Sequence, residues 1–261
     1  MVWDERQAAM LAEMGIRVWQ SPAAAASPVI DAKAEVPASP VAVAPPASAV
    51  PRAAAPARGA RPGEVEAMDW PTLRAAVAGC TACGLCRGRT NTVFGVGHAQ
   101  AHWMVVGEAP GEQEDRQGEP FVGKAGQLLD HMLQALGLTR QAEGEGLQPA
   151  QQVYIANVLK CRPPMNRNPQ PEEVAQCEPY LARQVALLRP RLILAMGRFA
   201  VQSLLQTGEP IGRLRGRVHQ YHGVPAIVTY HPAYLLRNPA DKAKAWDDLC
   251  LAREVMRNAS P

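Results

Sequence analysis

Four short apolar runs, each stopping at a small or polar residue, constrain this chain more than anything else in it. Trp103-Met104-Val105-Val106 runs into Gly107-Glu108-Ala109-Pro110-Gly111, and Val153-Tyr154-Ile155-Ala156 ends on Asn157. Leu192-Ile193-Leu194-Ala195 leads to Gly197, and a run over 226–230 meets His231. Unbroken apolar runs of this length fit strands buried on both faces, and segments of helical character separate them. Strands alternating with helices give a mostly parallel sheet covered on both sides, so the expected fold is an α/β protein, a three-layer α/β/α sandwich. Open sheets of this kind take their ligands beyond the carboxyl ends of the strands. Glu108, Asn157, Gly197 and His231 should therefore meet on one rim.

The rest of the chain is placed around that sheet. Residues 1–20 read as a short helix with Asp4 as N-cap, Ala8, Leu11 and Met14 on one face, and Gly15 as the stop. Residues 21–63 hold nine prolines among Ala, Val and Ser, with too few large apolar side chains for a core, and should form an extended tether. The folded domain is expected over 64–261. In it, Asp69 should cap a helix over 70–78 that Gly79 ends. An acidic loop (Glu112, Glu114, Asp115, Glu119) should lead through Phe121 to a helix over 124–136. Helices running to Leu188 should be divided by Pro179. Further expectations are a helix over 198–206, a hairpin pairing 218–221 with 226–230, and a last helix over 241–257 burying Trp246, Leu249 and Cys250.

No apolar run approaches the roughly 18 to 20 residues of a membrane span. Asp4, Glu5 and Glu13 argue against a secretory signal and against an acidic-poor transit peptide. A soluble, cytoplasmic protein is expected, and in that compartment six cysteines point to metal or cluster ligation rather than disulfides. Charge is unevenly spread: residues 181–261 carry 12 Lys and Arg against 5 Asp and Glu, the remainder 15 against 19. The basic part suits phosphate, though a merely solvated basic surface has the same composition.

Three constellations carry chemistry. Cys80-x2-Cys83 followed by Cys161-x15-Cys177 supplies four thiolates, which suit structural zinc and an iron–sulfur cluster equally. Cys86 offers a competing pair, Cys83-x2-Cys86, and Cys250 reads as core. Gly118-x4-Gly123-Lys124-Ala125 nearly spells a phosphate-binding loop, but Ala125 stands where magnesium needs a hydroxyl, and Pro120, Phe121 and Val122 interrupt the backbone cradle, so nucleoside triphosphate binding is rejected. The third set is Glu108, Phe121, Asn157 and His231. Asn matches the polar edge of a pyrimidine, Phe offers a stacking face, and His can donate to an oxygen that gains charge, a combination suited to a base swung out of DNA.

Taken together, Gly107-Glu108-Ala109-Pro110-Gly111 with Glu114-Asp115, Pro120-Phe121-Val122-Gly123, Asn157 ahead of Lys160-Cys161-Arg162-Pro163-Pro164, and His231-Pro232-Ala233-Tyr234-Leu235-Leu236 resemble the family 4, iron–sulfur uracil-DNA glycosylases. The resemblance runs from about Cys80 to Asn238. It implies a central four-stranded parallel sheet and a [4Fe–4S] cluster on Cys80, Cys83, Cys161 and Cys177, with Cys86 outside the set. It implies that Phe121 stacks on the extruded uracil, that Asn157 reads its edge, that Glu108 and Ala109 shape the pocket floor, and that Glu114 helps recognise the base. His231 stabilises the uracil anion, which makes His231, Asn157 and Glu108 the catalytic set. No aspartate occupies the turn position where other uracil-DNA glycosylases place a water-activating one, so the activating group stays open.

The basic, His-containing insertion of covalently trapping relatives is absent after Lys160, so turnover is expected. For DNA, Arg162, Arg213, Arg215 and Arg237 are candidate phosphate contacts, and Leu235 and Leu236 a candidate wedge. The implied activity is monomeric excision of uracil from single- and double-stranded DNA, initiating base excision repair. The competing class is a catalytically silent iron–sulfur module that binds DNA or a polymerase. Separately, residues 9–19 resemble the N-terminal peptide of the psi subunit of the bacterial clamp loader, which implies a replisome contact through residues 1–20 that raises local concentration.

Overall fold

The computed structural model of the protein describes residues 62–141 and 148–258. The docking-peptide reading of residues 1–20, and all but the end of the 21–63 tether, lie outside the described residues. Strands β1 (Trp103–Gly107), β2 (Val153–Asn157), β3 (Leu192–Met196), β4 (Val218–Tyr221) and β5 (Val224–Thr229) form one sheet in the order β2-β1-β3-β5-β4. The first four in that order are parallel, and β4 pairs antiparallel with β5 at the edge. The expected four-stranded sheet is therefore the parallel part of a five-stranded one. The added strand is the outer arm of the hairpin, half-exposed as an edge strand is.

Alternation along the strands divides the core in two. Met104, Val106, Tyr154, Ala156, Ile193 and Ala195 face one side, where α4 (Pro171–Leu188) and α5 (Arg198–Leu205) cover them. Trp103, Val105, Val153, Ile155, Leu192 and Leu194 face the other, against α3 (Gly123–Ala135), α6 (Pro232–Arg237) and α7 (Lys242–Asn258). The period of two places successive side chains on opposite faces, and β1, β2 and β3 are buried along their whole length. The three-layer α/β/α sandwich follows. Helix α1 (Trp70–Ala78) begins on the Asp69 carboxylate, which accepts from the Thr72 N–H at 2.9 Å. It packs through Leu73 and Val77 near Tyr180 of α4 and Phe94.

Two local expectations are corrected. Pro179 does not divide its helix: α4 runs unbroken because Cys177, Tyr180, Leu181, Gln184, Val185 and Leu188 form one buried stripe across it. Packing along that stripe outweighs the roughly 3 kcal/mol an interior proline costs. The acidic loop contains a short helix, α2 (Glu112–Gln117), whose acidic residues favour its amino end and whose Gly118 closes it at φ 75°. Its Asp115 is buried and accepts from the Thr90 N–H at 3.0 Å, a structural use of the charge. In α7, Leu249 is buried, whereas Trp246 and Cys250 are only partly so. No described helix is long and apolar enough to cross a membrane.

Candidate active site

The carboxyl ends of β1, β2, β3 and β5 open into a cavity of about 810 Å³, within the size range of small-molecule sites. Glu108, Ala109, Glu114, Phe121, Asn157, Gly197 and His231 line it, as the strand ends require. The two central side chains meet at Gly107. That residue pairs with Asn157 across β1 and β2, and a Cβ on it would lie 2.6 Å from the Phe121 ring and against Asn157 Oδ1. Glycine there lets ring and amide sit at the same strand end. Asn157 is 2 % exposed, and its Oδ1 has no hydrogen-bond partner among the described residues. A buried acceptor without a partner costs free energy unless a ligand donates to it.

Phe121 takes a left-handed backbone, φ 54°, which is unusual for an aromatic residue. Arg140 holds it there, its guanidinium donating to the carbonyls of Pro120 at 2.9 Å and Phe121 at 3.1 Å and to the Asp130 carboxylate. The Phe121 carbonyl occupies the space a Cβ on Gly126 would need. The ring stacks on His231 with centroids 5.2 Å apart and planes at 24°.

His231 caps α6, its Nδ1 accepting from the Ala233 N–H at 3.1 Å. The neutral ring therefore carries its proton on Nε2. Burial, and to a smaller degree the positive charge of Arg237, push its pKa down to about 4. At neutral pH the imidazole is an uncharged donor. Burial pushes the Glu108 carboxyl up to about 7, with Arg198 opposing. Glu114 reaches back beside Gly111, where a Cβ would lie 2.7 Å from its Oε2.

The DNA-facing candidates do not stay together. Arg237 lines the cavity, and Arg162 braces its rim, donating from Nε to Asn166 Oδ1 at 2.8 Å. Leu235 is 1 % exposed and packs in the core beneath α6, so its assignment to the wedge is corrected: the helix phase that turns Leu236 outward turns Leu235 inward. Arg215 is corrected likewise. It donates to the buried Asp248 at 2.7 Å and lies over the Tyr230 ring, which makes it a structural cation. Arg213 lies on the one-turn helix Ile211–Leu214 outside the cavity lining. Apolar groups remain exposed at Leu236 and at Met165, the latter on a rim loop whose Met165 and Asn166 both have φ 53°. Sequence reasoning missed Met165, Arg140 and the cavity-lining Phe199, Tyr230 and Tyr234. Only Met165 carried a signal, an apolar residue inside a polar Pro-rich loop.

The family model of the uracil DNA glycosylase superfamily matches residues 94–250. The chain belongs to that superfamily. Type-4 uracil-DNA glycosylases resemble it over most of their length. The one from Archaeoglobus fulgidus is 44 % identical over 62 % of this chain and 81 % of its own, that from Pyrobaculum aerophilum 41 % over 70 % and 93 %, and that from Thermotoga maritima 42 % over 63 % and 82 %.

Away from the glycosylase pocket, five of the six described cysteines gather. Cys80, Cys83, Cys86, Cys161 and Cys177 line one small cavity, with Cys161 and Cys177 buried. Cys86 joins the lining, so the geometry alone does not separate it from the other four. Among the described residues no three His, Cys, Asp or Glu side chains stand together as ligands of a single ion. Arg89 donates to Cys161 Sγ at 3.2 Å, and Lys160 is among the residues of the same cavity. Burial pushes the Cys177 thiol up to about 12, so thiolates here need positive charge, part of which Arg89 supplies beside Cys161. The donor set fits a soft-metal group held by thiolates.

Proposed function

We propose that this chain hydrolyses the N-glycosidic bond of uracil in DNA and turns over without covalent capture, acting on single and double strands at the start of base excision repair. The unpartnered, buried Oδ1 of Asn157 beside the Phe121 ring carries this reading. Uracil presents an N–H at position 3, which satisfies that acceptor; cytosine presents a lone pair there, which leaves it unpaired and repelled. Phe121, pinned by Arg140, holds the base by stacking. As the C1′–N1 bond breaks, its electron pair passes to the base, and the Nε2–H of neutral His231 donates to the base oxygen that gains the charge. The sugar, now oxocarbenium-like, takes up water at C1′, and Glu108 accepts the water's proton. A carboxyl near 7 is matched to that task at neutral pH.

Arg162 and Arg237 grip phosphates at the rim, with Leu236 and Met165 set against the bases flanking the extruded one. Cys80, Cys83, Cys161 and Cys177 hold a [4Fe–4S] cluster. Bound there, it supplies a covalent tie between chain segments; the hydrolysis itself oxidises and reduces nothing. The test is strand breakage by alkali after incubation with DNA carrying one uracil. Wild-type protein is expected to give a uracil-dependent break that Asn157→Ala largely abolishes, whereas DNA binding without any break would favour a catalytically silent module.

A further inference from the structure

Asn157 and Cys161 lie four residues apart in sequence, one in the glycosylase pocket and one in the cysteine cavity. Lys160 joins them. It is 2 % exposed, among the largest fully buried side chains of the described residues, and it lines the cysteine cavity. Its Nζ donates to the Asn157 carbonyl at 2.8 Å and to Gln184 Oε1 at 2.7 Å. Gln184 is fully buried on α4, on the stripe that carries Cys177, and donates from Nε2 to the Phe94 carbonyl at 2.9 Å and to the Tyr154 hydroxyl at 3.2 Å. Tyr154 lies on β2, the strand that ends at Asn157. The chain thus forms a closed circuit of buried polar groups from the cysteine-bearing helix to the strand end that presents the amide.

Packing alone does not account for a lysine here. Burying an amino group, charged or neutral, costs more than burying a methionine of similar reach, and no step of the proposed hydrolysis uses this one. The segment is already anchored by main-chain bonds: the Val158 N–H donates to the Gly107 carbonyl at 3.0 Å, Leu159 to Glu108 at 3.1 Å, and Val93 to Lys160 at 2.8 Å. The Asn157 carbonyl shares one peptide plane with the Val158 N–H, so the bond to Gly107 holds that plane from its N–H side and the Lys160 contact holds it from its carbonyl side. The orientation of that plane sets where the Asn157 side chain points.

We propose that Lys160 is a positioning residue for uracil recognition: it fixes the Asn157 peptide so that Oδ1 stays aimed at the base, and it couples that aim to the seating of the cysteine-bearing segments. The proposal rests on the reading of Asn157 as the residue that contacts uracil. In holoprotein, Lys160→Met should lower the single-turnover rate of uracil release on the order of 100-fold, the scale of a small misplacement of a reacting group. The visible absorbance of the cluster should be unchanged. In an Asn157→Ala background the same substitution should cost nothing further, because the residue it acts through is gone. Spectra of protein labelled with ¹⁵N-asparagine should show the Asn157 side-chain amide shifted or broadened in Lys160→Met.

A loss of equal size in the Asn157→Ala background, or an Asn157 resonance indifferent to the substitution, overturns the proposal. If Lys160→Met does not fold, Gln184→Met, which removes one acceptor of the ammonium and keeps the bulk, is read by the same two criteria. A wild type that releases no uracil, with an Asn157 resonance that still responds to Lys160, removes the functional reading and leaves the positioning role standing.

Discussion

His231 caps a helix with one ring nitrogen and faces the pocket with the rest of the ring, so its two roles fix its tautomer. Because burial lowers its pKa to about 4, in the proposed mechanism the uracil anion meets a neutral donor and not an imidazolium. His231→Ala should lower the rate by about 10²- to 10³-fold, the usual consequence of losing one donor to a developing oxyanion. In Glu108→Gln, where the carboxyl no longer titrates, the pH–rate profile should show no inflection near 6.5, the ordinary histidine value, and such an inflection would contradict the assignment. Glu108 gives the opposite signature. Its carboxyl titrates near 7, so the rate should rise as pH rises through 7, and Glu108→Gln should be slow and flat over that range. The stability consequence has its own sign. A carboxyl raised above its unfolded value favours the protonated folded form, a contribution complete below about pH 4.5 and lost as pH rises through 7. At pH 8, Glu108→Gln should therefore be more stable than wild type by about 2 kcal/mol in denaturant unfolding, while being less active.

Helix α6 shows how phase decides function at the level of an element. Leu235 and Leu236 are equivalent as letters, yet the helix starting at Pro232 buries the first and exposes the second. Leu235→Ala should cost about 2–5 kcal/mol of stability, as core leucines do, and Leu236→Ala under roughly 0.5 kcal/mol. Only Leu236→Ala, and Met165→Ala on the facing rim, should slow excision from duplex more than from single strands; equal effects on both substrates would deny them contact with flanking bases. The loop ahead of α3 makes the converse point. Its Phe121 was legible from the turn residues around it, whereas Arg140 was not, because its hydrogen bonds reach back to carbonyls far along the chain. Strand ends, caps and the pocket residues borne on them follow from local pattern. What fixes their conformation, such as Arg140 under Phe121 or the stripe that carries α4 past Pro179, arises from tertiary contacts that local pattern does not encode. Arg140→Ala should raise KM for uracil-containing DNA, since it frees the stacking ring, with the fold retained as judged by circular dichroism.

Over the whole molecule, the sheet and the cysteine cage are separate centres of cohesion. The two apolar layers on the sheet include none of the cage cysteines. Helix α1 instead packs through a small cluster onto Tyr180 of α4 and Phe94, beside Cys80, and next to it Leu85, Leu159, Cys161 and Cys177 form another. The charge asymmetry read from composition follows the same division only in part, since Arg215 of the basic half turns inward while Arg237 reaches the pocket. Removing the proposed cluster by oxidation and chelation should leave the sheet layers intact and free the cage. The stripped protein is expected to keep most of its far-ultraviolet dichroism, to melt at a lower temperature, and to become susceptible to proteolysis around residues 80–90. Uracil release should fall further than binding to DNA with a preformed abasic site, because the rim arginines outlast the loss while the 157–161 segment does not. A stripped protein with unchanged melting temperature and unchanged excision would show that the cage has no part in holding Asn157.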